Sequence, residues 1–358
     1  AFGRFGAPEI GQLVLNGAWI GAALLSGSTT VLAVVVLVAG CAQFAVTIPA
    51  LKRERVWGPP EWAPRSGEVD QVRRRAAQVL VAVAAAQANV LADRWMAMGL
   101  VGPGATTHLF YAFRFVHLPF ALFALSASTA AYPEIARFEH DREEVGRILS
   151  RALRQAAVFL LPATAGLVVL APRIVAVFFG HGEFGAADVA ATAAALAAYA
   201  VGLPFMALAT HLARVCRGVG DFRRPAWAAA CLVPMNIGLN WALVSAPGGF
   251  WEPMGAEGLA WATSTSFAAL AAVLAAIATR RNGISVHVGG LGSLVAVSAA
   301  VGAAAFWAAG AAGQAMGESA ALATGVLAGL LPFALWVALA RPAAVLGFLP
   351  GNRNRGPR

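Results

Sequence analysis

The sequence is short of charge. Only 12% of its 358 residues are charged, whereas 59% are hydrophobic and the mean hydropathy is +0.70. A soluble globular chain carries about twice that charged share, and a single water-soluble core stops growing at about 250 to 300 residues. The composition therefore excludes an ordinary soluble fold and predicts an all-α polytopic membrane protein.

Motifs for catalysis and for cofactor binding are also missing. The six histidines are scattered without an HExxH arrangement, and no GxxxxGK[ST] loop is present for ATP. Cys41, Cys216 and Cys231 lie in or beside apolar runs without paired spacing, so we interpret them as small buried hydrophobic residues. The sequence predicts no enzyme, no cofactor and no metal site. Any transport against a concentration gradient must therefore use an ion gradient or the membrane potential.

A membrane-bound glycosyltransferase or ligase of the cell envelope is the alternative from another functional class. Such an enzyme needs an acidic catalytic pair that faces the outside. The outward-facing acids expected here are spread over separate loops without forming a pair: Glu183, Asp188, Glu252, Glu257 and Glu318. The sequence disfavours this alternative.

About ten apolar runs are long enough to cross a hydrocarbon core, which takes roughly 20 residues each. The first is the weakest, because it is short and Asn16 interrupts it. The predicted spans are Ile10–Ser26, Thr29–Leu51, Ala76–Gly102, Thr106–Tyr132, Ala156–Phe179, Val189–Leu212, Ala226–Val244, Gly258–Ala278, Val286–Ala309 and Ala320–Leu339.

The net charge of +9 could suggest nucleic-acid binding. Where the basic residues lie along the chain decides between nucleic-acid binding and membrane orientation. If the spans alternate in direction, 23 of the 26 Lys and Arg residues fall on one side of the membrane. This asymmetry follows the positive-inside rule and predicts that the basic loops and the C-terminus are cytoplasmic. Nucleic acid is not needed to explain the charge.

Two polar stretches separate the apolar runs. Residues 52–75 contain three prolines and predict a cytoplasmic linker between two helical lobes. Residues 139–155 place Val145, Ile148 and Leu153 at helical spacing among arginines, which indicates an amphipathic helix on the membrane surface or an ordinary solvated connector.

Polar side chains inside the spans are candidate functional residues, because each is costly in lipid. Arg114 is the strongest, since it lies about eight residues into the fourth span and a guanidinium suits bidentate phosphate binding. Gln43, Gln87, Asn89 and Asp93 are weaker substrate-binding candidates. The first three could equally join helices by hydrogen bonds, and Asp93 lies near a span end, where a structural role is simpler.

The segment Leu109 to Pro133 resembles a motif of the MurJ/MviN lipid II flippases, Y-Y-A-D-R-x-x-x-L-P-x-G-x-x-x-x-A-x-x-T-x-x-x-P. Three further stretches agree with the family: APRIVAVFFGHGEFGAAD from Ala171, AYAVGLP from Ala198 and GAEGLAWATS from Gly255. Phe113 departs from the pattern, because many members have Asp there. This removes one partner for Arg114 and favours, to a small degree, a scaffold that does not transport.

The resemblance implies part of a fourteen-helix, two-lobe exporter fold, in which this chain begins just before the fifth helix. We therefore expect residues 1–51 to hold the last two helices of an N-terminal lobe, and 52–75 to form the linker. Residues 76–281 are expected to form a six-helix C-terminal lobe. We expect two additional helices at 282–342, which in the family line a groove for the undecaprenyl tail. A cytoplasmic tail is expected at 343–358.

The resemblance also implies a function. The protein is expected to flip the undecaprenyl-diphosphate-linked peptidoglycan precursor, lipid II, across the bacterial cytoplasmic membrane by alternating access, with Arg114 at the pyrophosphate. Expected partners are lipid II, membrane lipids and cell-wall synthesis proteins, but not nucleic acid. A polysaccharide-lipid flippase and a drug/cation antiporter of the same superfamily remain alternatives.

Overall fold

The computed structural model describes residues 6–25, 28–53, 67–246, 252–286 and 291–339, and every regular element in those ranges is helical. The predicted all-α fold is therefore confirmed. The middle of the predicted linker and the predicted cytoplasmic tail lie outside these ranges. Eleven α-helices are α1 Gly6–Leu25, α2 Thr29–Arg53, α3 Gly67–Met96, α4 Ala105–Pro119, α5 Ser126–Arg137, α6 Arg142–Phe179, α7 Ala186–Gly218, α8 Arg223–Ser245, α9 Ala256–Ala276, α10 Leu291–Met316 and α11 Glu318–Leu339.

Eight helical segments of the described chain are long and apolar enough to cross a membrane, which confirms a multi-pass membrane protein. One of them combines α4, a π-helical turn at Phe120–Leu125 and α5. Helices α1 and α2 hold only shorter apolar stretches, Leu13–Ala22 and Thr30–Ala45, so ten spans remain a prediction.

The chain divides into two compact units between Gln71 and Val72. In the first unit α1 packs on α2, and a Cβ atom at Gly11 would lie 2.8 Å from Gln43 Cγ. In the second unit α7 is central and packs against α6, α9 and α4, while α10 and α11 pack on each other and on α6. The predicted lobe assignment is not decided by this division and stays a prediction.

Helix α6 is one continuous helix of 38 residues, about 57 Å long at 1.5 Å per residue. Asp141 caps it by accepting from the Glu144 amide at 3.0 Å. The apolar side chains at Val145, Ile148 and Leu149 are buried in a core cluster with residues of α7 and α9. The prediction of a helix lying on the membrane surface was therefore wrong, because its apolar face packs on protein instead of lipid.

The cysteine interpretation needs one correction. Cys216 is buried in the core, as expected, but Cys41 and Cys231 are exposed. All three thiols are free, so the described chain contains no disulfide. Cys231 lines a surface groove on α8.

Candidate functional site

Arg114 projects from α4 as an exposed side chain. Its guanidinium carbon lies 4.6 Å from the centroid of the Phe110 ring, one turn earlier on the same helix. This cation–π contact holds the planar group without using its hydrogen-bond donors. Within the described residues Arg114 forms no ion pair, so its donors are available to an anion.

Phe113 points away from Arg114 and into the bundle. Its ring is edge-on to Tyr199 at 5.4 Å between centroids and packs against the core cluster of α4, α7 and α9. Phe113 and Tyr199 line a small cavity together with Thr263 and Ser264 of α9. The departure from the family motif thus replaces a polar position by an aromatic one in the wall of that cavity.

Asp93 joins three helices near one end of the second unit. Its Oδ1 accepts a hydrogen bond of 2.7 Å from Asn240 Nδ2 on α8, and its Oδ2 lies 3.2 Å from Thr263 Oγ1 on α9. Asp93 lies near the end of α3, and its carboxylate is turned towards α8 and α9. The neighbouring Arg94 is the exposed member of the pair.

The polar contacts continue beyond Asp93 into the protein. Asn240 Nδ2 also donates to Asn236 Oδ1 at 3.0 Å, and Asn236 Nδ2 donates to Ser266 Oγ at 3.4 Å. Both asparagines are fully buried, and Asn240 Oδ1 has no hydrogen-bond partner among the described residues. We call Asp93, Asn236, Asn240, Thr263 and Ser266 the Asp93 cluster.

The chemistry of the Asp93 cluster is that of hard oxygen ligands. It offers one carboxylate, amide oxygens and hydroxyls, and Thr263 Oγ1 is 3.0 Å from the carbonyl oxygen of Leu259. Oxygen sets of this kind suit a hard cation, and a single carboxylate suits a singly charged ion or a proton. In the described residues no group of three or more His, Cys, Asp and Glu residues comes together, which disfavours a transition-metal site.

The other predicted site residues lie on α2 and α3. Gln87 is exposed on α3, and Asn89 is partly buried with its Oδ1 unpartnered in the described chain. Gln43 belongs to the first unit, where it packs beside Gly11. Their substrate-binding roles, and that of Arg114, stay predictions.

Sequence reasoning missed Asn236, Asn240 and Thr263 because each is uncharged and lies alone in an apolar run. A signal was present, since Asn236 and Asn240 are four residues apart and share one helix face. Thr263 also falls inside the GAEGLAWATS stretch that carries the family resemblance.

Arg214 is a second cation that sequence reasoning did not single out. Its Nη1 donates a hydrogen bond of 2.6 Å to Thr129 Oγ1, and it lies 3.5 Å from the carbonyl oxygen of Leu125. The Thr129 hydroxyl in turn donates to Leu125 at 2.7 Å. Arg214 of α7 thereby braces the chain where the π-helical turn after Pro119 passes into α5.

At the predicted outer end, α4 is fastened to the start of α7. His108 Nε2 lies 3.0 Å from Asp188 Oδ1, and the other carboxylate oxygen of Asp188 accepts from the Gly185 amide at 3.0 Å. Tyr111 stacks on Phe179 at 4.2 Å between centroids beside them. A histidine–carboxylate contact and an aromatic stack therefore join the start of α4 to the end of α6 and the start of α7.

Comparison with known proteins gives a consistent picture. The family model described as lipid II flippase MurJ matches residues 1–332. A probable lipid II flippase MurJ of Haemophilus influenzae is 28% identical over 251 residues, covering 66% of this chain and 49% of the relative. One of Thermotoga maritima is 32% identical over 188 residues, covering 52% of this chain and 37% of the relative. The chain thus spans about half or less of these relatives.

A solved structure supports the fold. The lipid II flippase MurJ in an inward closed conformation superposes with a TM-score of 0.70 at 20% identity. The match covers 96% of this chain and 69% of that structure. At this identity the likeness establishes the fold alone.

Proposed function

The chain belongs to the lipid II flippase MurJ family, and from this membership we propose that the protein flips lipid-linked peptidoglycan precursor across the bacterial cytoplasmic membrane. The family is one of transporters, so its members move this lipid without making or breaking its bonds. Because the chain spans about half the length of its relatives, transport is assigned to the protein encoded by the complete gene.

The observation that carries the proposal is Arg114. Its guanidinium is exposed on a membrane-spanning helix, and no carboxylate of the described chain neutralises it. A diphosphate cannot enter a medium of low dielectric without compensation, and a guanidinium can bind it through two parallel hydrogen bonds. We assign Arg114 to the pyrophosphate, with Gln87 and Asn89 as further polar residues along the path.

Energy for transport is proposed to enter through the Asp93 cluster. The cluster links α3 with α8 and α9, so occupation by a cation or a proton changes the interactions that hold these helices together. A ligand that binds one arrangement better than another shifts the balance between them. Alternating access would then follow the ion gradient or the membrane potential.

The Asp93 cluster also favours the rival function of a drug/cation antiporter, because a cation site alone serves that function equally well. The two functions differ in Arg114. A cationic drug would be repelled by an exposed guanidinium, whereas a diphosphate is attracted. This difference and the family match both support lipid II over a cationic drug as the transported substrate.

Complementation tests the proposal. The complete gene is expressed in bacteria depleted of their own lipid II flippase, beside an Arg114→Ala variant and an Arg94→Ala control, which removes an exposed arginine from a neighbouring helix. We expect rescue by the wild type and the control but not by Arg114→Ala. Failure of the wild type to restore growth would exclude flipping of lipid II, and full rescue by Arg114→Ala would exclude the role of Arg114.

A further inference from the structure

A groove of ≈ 910 Å³ lies between α8 and α9, starting at the connection that joins α7 to α8. Beyond its mouth the walls are apolar, with Trp227, Leu232 and Met235 on one side and Val273 and Ile277 on the other. Its size falls in the range of ligand sites, about 300 to 1,000 Å³. Neither Arg114 nor the Asp93 cluster lines it, so it is separate from the candidate transport site.

The length of the groove fits one leaflet of a bilayer. From Arg223 to Met235 the α8 wall covers twelve residue steps, or about 18 Å at 1.5 Å each. Half of a hydrocarbon core of about 30 Å is about 15 Å. An acyl chain that enters at the mouth would thus reach the middle of the membrane within the groove.

The one acid at the mouth is neutralised internally. Asp221 Oδ2 accepts from Arg224 Nη1 at 3.2 Å and from Asn282 Nδ2 at 3.4 Å. Its Oδ1 accepts from the Arg224 amide at 3.2 Å. Asp221 therefore does not cancel the charge of the other arginines around it.

Those arginines make the mouth positive. Arg223 lines it and is exposed, and Arg280 and Arg281 are exposed at the end of the α9 segment, next to the lining residue Asn282. The Arg75 guanidinium lies 5.4 Å from the centroid of the Phe222 ring, adjacent to Arg223 in sequence. The end of the groove is thus a basic site and its body an apolar one.

Two tryptophans indicate that the face of α8 beside the groove contacts lipid. Trp227 and Trp241 are both exposed and fourteen residues apart, which puts them on nearly the same helix face about 21 Å from each other. Tryptophan is enriched at both membrane interfaces, where the ring spans apolar and polar regions. Trp227 lies one helical turn inside the mouth, four residues after Arg223 on α8.

We propose that this groove binds one anionic diacyl phospholipid from the leaflet on the predicted cytoplasmic side. Its phosphate lies between Arg223 and Arg280, and one acyl chain follows Trp227 and Met235 towards the middle of the membrane. Basic pockets between transmembrane helices bind anionic lipid headgroups in this manner. The inference stands without the proposed transport function, because it concerns lipid bound at the outer surface of the helices.

Native mass spectrometry of the full-length protein tests the proposal by titration with phosphatidylglycerol and, separately, phosphatidylcholine. Each arginine near an anionic headgroup strengthens binding about fivefold. We therefore expect the double variant Arg223→Gln/Arg280→Gln to lose the preference for phosphatidylglycerol by a factor of about 25. Arg223→Lys/Arg280→Lys should keep most of the preference for phosphatidylglycerol, which separates loss of charge from misfolding.

A second variant tests the body of the groove. Cys231→Trp, which fills the groove from an exposed lining position, should weaken binding of both lipids.

The matched control is Arg137→Gln/Arg151→Gln, which removes two exposed positive charges on the same predicted side but away from the groove. An equal loss of preference in this control would mean binding to surface charge in general and would overturn the proposal. Unchanged lipid binding by Cys231→Trp would also overturn it. A titration with undecaprenyl phosphate tests the alternative that the groove binds the tail of the transported lipid. If Cys231→Trp weakens binding of undecaprenyl phosphate alone, the phospholipid assignment is wrong.

Discussion

The carboxylate of Asp93 and the amide of Asn240, 147 residues apart in the chain, are joined by a hydrogen bond of 2.7 Å. The bond ties α3 to α8 at the level of the Asp93 cluster. It places the carboxylate of α3 beside the buried amide oxygen of Asn240, which has no hydrogen-bond partner in the described chain. A cation or a proton at this point would satisfy both groups.

Asp93→Asn is expected to abolish stabilisation of the complete protein by the coupling ion. If sodium is that ion, unfolding of the wild type in sodium chloride should require about 1.4 kcal/mol more free energy at ten times Kd than in choline chloride of equal ionic strength. The variant should show no difference, whereas Asp70→Asn on the same helix should behave as the wild type. A sodium response that survives Asp93→Asn would contradict the assignment. If the ion is a proton, stabilisation should follow pH and again be lost in Asp93→Asn.

Arg114→Lys keeps the positive charge but loses the planar fork that binds phosphate through two bonds. We expect transport of lipid II to fall by a factor on the order of ten, with growth rescue between that of the wild type and of Arg114→Ala. The readout is lipid II exposed on the outer leaflet of depleted cells. Arg94→Lys serves as the matched control, and equal transport by Arg114→Lys and wild type would exclude bidentate binding.

Gly202→Ala is expected to destabilise the second unit by about 1 to 3 kcal/mol. A Cβ atom at Gly202 would lie 2.8 Å from Ser264 Cβ and 2.9 Å from Ser264 Cα, so α7 and α9 would have to separate. Gly238→Ala on α8 is the control, because no atom lies within 4 Å of its added carbon. Denaturant unfolding in detergent measures both, and equal stability of the two variants would show that the α7–α9 contact is not tight.

The brace between Arg214 and Thr129 can be measured with a double-mutant cycle of Arg214→Ala and Thr129→Val. We expect a coupling free energy of about 0.5 to 1 kcal/mol in unfolding, because the pair is partly exposed and screened by solvent. The same cycle with Arg217→Ala in place of Arg214→Ala should give no coupling, since Arg217 makes no hydrogen bond to Thr129 in the described chain. Equal coupling in the two cycles would contradict a specific brace.

Orientation follows from the arginine distribution and can be tested by labelling. In a protein whose exposed native cysteines are replaced by serine, Glu183→Cys should react with a membrane-impermeant maleimide in spheroplasts, and Arg151→Cys should react only after permeabilisation. Both positions are exposed, so access to the thiol reports the side of the membrane. The reverse pattern would contradict the cytoplasmic C-terminus.

The helical membrane fold could be predicted because apolar composition acts over the whole chain, whereas helix ends depend on local contacts. The sequence predicted a span from Ala156 and a separate helix within residues 139–155, whereas the structure joins them in α6, where packing of Val145 and Ile148 continues the helix before its apolar run. Pro162 does not interrupt it, and Pro119 is followed by a π-helical turn. A hydropathy profile predicts neither the continuity of α6 at Pro162 nor the π-helical turn after Pro119.

The candidate site was predicted only in part for a related reason. A charge in an apolar run, such as Arg114 or Asp93, is visible in the sequence because its cost in lipid is high. Asn240 and Thr263 become significant only when the fold brings them to Asp93 across 147 and 170 residues. Contacts at such separations depend on helix packing, which one sequence does not specify.

The attachment of α3 has a mechanical consequence. Of the α3 side chains that the structure describes, only Ala85 is buried. The helix is held at Asp93 by hydrogen bonds to α8 and α9, and Arg75 near its other end contacts the Phe222 ring. Asp93 and Arg75 are eighteen residues apart, or about 27 Å along the axis. A tilt of about 10° at the Asp93 cluster would therefore sweep Arg75 through about 5 Å. Helix α3 would then act as a lever arm. An adjustment of about an ångström at the Asp93 cluster would displace Arg75 by about one helical turn.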